Sequence, residues 1–265
     1  MSLGICINAP EGIVFAAESR LTLQVDSPEG KIHVNYDNAN KLMSFGGKHR
    51  WVGAVTYGLA AIGLRTPHSF LPEFETSLSD ERLSVQDFAK RLSEFYMSQW
   101  QEDMPADYSG PDMTFVVAGF DKDEAYGRTY LVELPRRPEP LEQGGLTDFG
   151  LVWGGQKEWV DRLLQGFDAR AVEVAAKSLG LNDAQKQQLI QDLMQTLRME
   201  IPVQVMPLQD CIDLAAFFVR TTIDAQRLTV GLRGCGGPVD IATITRRDGM
   251  KYVQRKEIVA DGMHR

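Results

Sequence analysis

The sequence predicts an α+β fold in which antiparallel sheets carry helices on their outer sides. Three observations predict it. The chain opens with two short apolar runs separated by a tight turn. Strands and helices then come in blocks, in the order strands, helices, strands, helices, strands. The strand blocks are joined by hairpin turns, whereas a parallel sheet needs strand–helix–strand units. The 265 residues read as a single domain, 1–265, with no repeat, linker or low-complexity tract.

Leu3-Gly4-Ile5-Cys6-Ile7 and Ile13-Val14-Phe15-Ala16-Ala17 form the opening hairpin around the turn Asn8–Gly12; the second run is continuous enough to be buried on both faces. Glu18, Ser19 and Arg20 follow it directly. Residues 23–40, with scattered Asp, Asn, Gly and Pro, read as a loop or irregular edge. A second hairpin is expected from Lys41–Phe45 through Gly46-Gly47 to Trp51–Thr56. Residues 58–104 read as helical. Val85, Phe88, Ala89, Leu92, Phe95 and Tyr96 form one stripe there, and Ser84 is the N-cap. Strands are expected at 113–119, 128–133 and 149–153. Helices are expected from about 157 to 224, with breaks near Gly180 and Pro202–Pro207. A closing hairpin at 239–245 and 252–254 turns at Arg247-Asp248-Gly249.

Composition excludes several function classes. A net charge of −8 argues against nucleic acid as a partner, because a phosphate backbone needs clustered Lys and Arg. No apolar run is long enough to span a bilayer, and the N-terminus lacks a secretory signal, so a cytoplasmic location is expected. Cys6, Cys211 and Cys235 fit no metal-ligand spacing and read as reduced thiols. His33, His49, His68 and His264 form no HExxH-like pair. Asp103, Asp107 and Asp112 read as an acidic loop. The stretch Gly231–Gly237 opens no helix and is no phosphate loop. No metal and no cofactor are called for.

The opening hairpin brings its two ends together, so Ser2 is expected close to Glu18 and Arg20, with Lys41 at the start of the next strand. These residues carry a resemblance. Gly12-Ile13-Val14-Phe15-Ala16-Ala17-Glu18-Ser19-Arg20-Leu21-Thr22, then Asn40-Lys41-Leu42, Gly53-Ala54-Val55-Thr56-Tyr57-Gly58 and the ending 236–249 resemble the proteasome β-subunit family, most of all its bacterial members. The resemblance covers most of the chain, with insertions near 23–40 and 168–203. It implies a four-layer αββα sandwich of the N-terminal-nucleophile (Ntn) hydrolases. It also implies an amide-bond hydrolase that cuts a peptide or unfolded protein within a homo-oligomeric ring. Ser2, exposed by removal of Met1, would be the nucleophile. A free α-amine has a pKa of about 7.7–8.0 and serves as base near neutrality. Lys41 would place positive charge beside the reacting oxygen, Glu18 would hold Lys41, and Arg20 would complete the cluster. The Val55 N–H would be the oxyanion donor. Thr22 and Tyr57 would take the substrate backbone as an added strand, and Met43, Gly53 and Tyr57 would shape the pocket.

The sequence departs from the family pattern in three places. Serine replaces threonine as nucleophile. Leu232 and Cys235 stand where the family has Asp and Ser, with Asp224 and Thr229 as substitutes at the wrong spacing. Gly154-Gly155-Gln156 lacks the serine of a Gly-Ser-Gly element. Two further readings stay open: an inactive ring or scaffold protein of this fold, and a small-molecule amidase on it.

Overall fold

The computed structural model describes residues 2–27, 30–145, 147–231 and 233–257. The expectations for Met1, Leu232 and His264 lie outside the described residues. The first hairpin forms as expected, from β1 (Leu3–Ala9) and β2 (Gly12–Glu18), and every residue of both strands is buried. Apolar runs without alternation do this when both faces of a sheet are covered. Next come β3 (Leu21–Ser27) and β4 (Gly30–Tyr36), β5 (Leu42–Ser44), β6 (Val52–Gly58), α1 (Leu71–Ser77) and α2 (Val85–Asp103). The chain continues with β7 (Met113–Gly119), β8 (Arg128–Leu134), β9 (Arg137–Glu142) and β10 (Gly150–Gly155). It ends with α3 (Glu158–Gln165), α4 (Ala169–Leu179), α5 (Asp183–Leu197), α6 (Leu208–Leu228), β11 (Val239–Thr245) and β12 (Gly249–Gln254).

Two five-stranded antiparallel sheets stack face to face. The first has the order β10-β1-β2-β11-β12, the second β5-β6-β7-β8-β9. Cys6, Phe15, Ala17, Val55, Val116 and Ile244 interleave between the sheets. Helices α1 and α2 cover the outer face of the second sheet through Phe74, Phe88, Leu92 and Tyr96. Helices α3 and α6 cover the first through Leu164, Ala215, Phe218 and Val219. The result is the four-layer αββα sandwich of the Ntn hydrolases. No helix among the described residues is long and apolar enough to cross a membrane.

Local chemistry explains most boundaries. Ser84 caps α2, its side chain accepting from Asp87 N–H at 3.0 Å. Asn182 and Gln185 form a reciprocal capping box at the start of α5. Two expectations are corrected, and one strand, β9, had no expectation. Residues 58–104 are not helical throughout: 59–70 are mostly irregular, and the helices are α1 and α2. Strand β9, Arg-Pro-Glu-Pro-Leu-Glu, is an edge strand, the one place in a sheet where prolines are tolerated. Residues 21–36 form a two-stranded ribbon separate from both sheets, pairing Leu21 with Tyr36, Leu23 with Val34 and Val25 with Ile32.

Candidate functional site

Strand β1 begins at Leu3 beside the end of β2 at Glu18, and this pairing brings Ser2 next to the Glu18 carboxylate. Glu18 is 1% exposed. Its Oε1 accepts from Leu3 N–H (3.1 Å) and from the Lys41 ammonium; its Oε2 accepts from Arg20 N–H (2.7 Å) and Gly236 N–H (3.1 Å). Four donors on one buried acceptor group suit an ionised carboxylate. Lys41 is also buried and donates to Arg20 O at 2.6 Å. Ser2 and Lys41 line one small cavity, together with Arg20, Leu21, Ala39, Asn40, Thr56, Tyr57, Leu59, Ala60, Thr66 and Pro67. Its volume, about 20 Å³, is about what one water needs.

Arg20 does not reach Ser2's carboxylate neighbour through its side chain. Its guanidinium grips Asp37 at 2.6 and 2.7 Å and donates to Arg233 O at 3.1 Å. That bidentate bond keeps the Arg20 pKa high and holds the Asp37 carboxyl below the usual carboxylate range. Ala39 N–H donates to Ser19 O (2.9 Å), so both roots of the β3–β4 ribbon are tied at the site.

The sheet turns Val55's amide away from the expected role. Successive amides of a strand point to opposite sides. Thr56 N–H faces β5 and donates to Lys41 O at 2.9 Å. Val55 N–H therefore faces β7, where Val55 stands opposite Val116. The next amide on the Lys41 side belongs to Gly58, beyond the end of β5. Gly58 has φ +90°, and a Cβ there would lie 2.1 Å from Asp112 O.

Two pocket expectations are also corrected. Met43, paired with Ala54, shares a strand face with Lys41 and Thr56, but it is fully buried under the helix layer and does not line the cavity. Gly53 sits toward the opposite end of β6 from Gly58, with Phe15, Ile244 and Met250 around it. Tyr57 does line the cavity, its ring lying across Gly4 and Gly154, and burial raises its hydroxyl pKa. Thr22 lies on the polar side of the ribbon, its hydroxyl donating to Asn35 Oδ1 at 2.8 Å.

Asp224 and Thr229 are engaged elsewhere, with Arg227 and Ala225 O. A pair of glutamines that the sequence reading missed runs through that region instead. Gln156 N–H donates to Ser2 O (2.7 Å), Gln226 donates to Gln156 Oε1 (3.2 Å), and Cys235 N–H donates to Gln226 Oε1 (2.8 Å). Gly155 permits the first of these bonds: its φ is +87°, and a Cβ would fall 1.8 Å from Ser2 O. Asp37 was missed as well, since nothing in its sequence neighbourhood marks a partner seventeen positions away.

No family model and no curated protein matches the sequence. Solved structures do match in shape. Anbu (ancestral beta-subunit) from Yersinia bercovieri aligns with TM-score 0.56 at 12% identity, over 96% of this chain and 88% of that one. An Anbu mutant from Hyphomicrobium sp. strain MC1 aligns with TM-score 0.59 at 15% identity, over 98% and 88%. The helical assembly of the Anbu complex from Pseudomonas aeruginosa gives 0.57 at 14%, over 96% and 88%. The fold is proteasome-like. The membership that the motifs imply is thereby corrected. At 12–15% identity and without a matching family model, the likeness is one of fold, and it is to ancestral beta-subunit proteins.

Proposed function

We propose that this chain is an Ntn hydrolase of peptide amide bonds, with Ser2 as nucleophile once Met1 is removed. The observation that carries the reading is the shared cavity of Ser2 and Lys41, with Lys41 pinned by a buried, fully hydrogen-bonded Glu18. The Ser2 hydroxyl attacks the substrate carbonyl carbon while its own freed α-amine takes the hydroxyl proton. The carbonyl oxygen becomes an oxyanion, and Gly58 N–H, on the Lys41 side of β6, stabilises it; one such donor contributes about 3–4 kcal/mol. The ammonium returns its proton to the leaving amine as the C–N bond breaks, leaving an ester on Ser2. Water, activated by the same amine, hydrolyses that ester. Lys41 supplies positive charge beside the reacting oxygen, and Arg20 holds Asp37 and the ribbon root. Substrate backbone runs between Thr22 and Tyr57 as an added strand. The helical assembly of one structural neighbour supports a homo-oligomer here too.

The test is hydrolysis of a short fluorogenic peptide by protein lacking Met1. Ser2→Ala is expected to lower kcat by about 10³-fold or more, and Ser2→Thr to keep activity. Undiminished turnover by Ser2→Ala overturns the proposal. The small cavity favours one second reading: activity on acyl-amino acids with none on peptides would make the chain a small-molecule amidase.

A further inference from the structure

The β3–β4 ribbon alternates polar and apolar residues with period two. Its register places Leu21 opposite Tyr36 and Leu23 opposite Val34, with Ile32 two residues before Val34. All five therefore share one face. Thr22 and Asn35 face the other way. None of the five belongs to a buried core cluster among the described residues. Leu23 is 37% exposed, Ile32 51% and Tyr36 58%. A two-stranded ribbon is marginal alone and gains independent stability from a further strand or a packed face.

The place of this face identifies its occupant. It begins at Leu21, which lines the Ser2 cavity, and runs outward from there. A chain extended from that cavity past Leu21 would lie along it. Its size also decides. Seven-residue strands span about 23 Å, and two of them present a face of about 250 Å². A specific contact between two copies needs about 800 Å² on each, so the ribbon falls far short of one. It suits an extended peptide of six or seven residues.

We propose that the apolar face of the β3–β4 ribbon seats an extended, uncharged stretch of the polypeptide that is cut at Ser2, and so selects apolar sequence several residues from the scissile bond. Alternate side chains of the bound stretch pack against Leu23, Val34 and Ile32. The chemistry at Ser2 rests on the hydrolase reading above; the ribbon's selectivity does not.

The experiment compares two substrates on protein lacking Met1: a dipeptidyl fluorogenic amide, and a peptide of about ten residues with Val and Leu alternating along the stretch that would cover the ribbon. Ile32→Asp is expected to lower kcat/KM for the long peptide about tenfold or more, leave the short substrate unchanged and preserve circular dichroism. Equal loss on both substrates, or no loss on the long one, overturns the proposal. If the unsubstituted protein cleaves neither, the hydrolase reading fails, and the ribbon is judged by binding. Fluorescence anisotropy of the long peptide on the Ser2→Ala chain should then weaken about tenfold with Ile32→Asp added. Unchanged affinity overturns the proposal. So does unchanged affinity with a lower light-scattering mass, which would mark a contact between copies.

Discussion

Glu18 and Lys41 form a buried ion pair with no solvent to absorb the loss of either member. Lys41→Met leaves Glu18 as an uncompensated buried charge, a change that typically costs 3–5 kcal/mol. Urea unfolding should show a loss of about that size, and Glu18→Gln combined with Lys41→Met should recover part of it. The Arg20–Asp37 bond behaves differently with pH. Asp37 has its pKa depressed by Arg20, so its contribution is present above the unfolded value of about 4 and is lost as pH falls through the lower folded value. Thermal unfolding should find Asp37→Asn less stable than the unsubstituted protein at pH 6, with the gap closing below about pH 4. At this scale the sequence was informative where partners are fixed by hairpin spacing: Ser2, Glu18 and Lys41 sit around one cluster. It was silent on Asp37 and on the Gln156–Gln226 pair, whose partners arrive by tertiary packing.

Strand β6 delivers the site by ending where it does. Its last residue, Gly58, combines φ +90° with a backbone oxygen 2.1 Å from any added Cβ. Gly58→Ala should cost at least about 1 kcal/mol in thermal unfolding and, under the proposed mechanism in which its amide acts on the oxyanion, lower kcat more than it raises KM. The sequence placed β6 but not the direction of the Val55 amide, because which N–H faces which neighbour depends on register, and register follows from the pairing of Lys41 with Thr56. The ribbon was missed for a related reason. Its alternation of apolar and polar residues is regular, but the intervening Asp, Pro, Glu and Gly read as loop chemistry. In β9, prolines hid an edge strand; in 59–70, apolar residues without a clear stripe were read as helix.

Across the molecule, two sheets and two helical layers leave the three cysteines buried. Burial pushes the Cys6 thiol up to about 12 and Cys211 to about 11, and raises Cys235 as well. Since the thiolate is the reactive form, Ellman's reagent at pH 8 should find no fast-reacting thiol in the folded protein and three in guanidinium. A fast thiol in the folded state would contradict the layer packing around Cys6 and Cys235. The layered architecture was readable from the order of strand and helix blocks, because hairpin-linked strands have few ways to bury both faces. Family membership was not: the motifs that suggested it stand in a chain whose likeness to solved structures, at 12–15% identity, is one of fold.

The proposed hydrolysis depends on a freed Ser2 as the nucleophile. Intact-mass spectrometry of the protein after reaction with an electrophilic peptide tests it most directly. A chain lacking Met1 and carrying one probe on Ser2 is expected, with no adduct on Ser2→Ala. A chain that retains Met1 and stays unlabelled, or one labelled equally after Ser2→Ala, would contradict it.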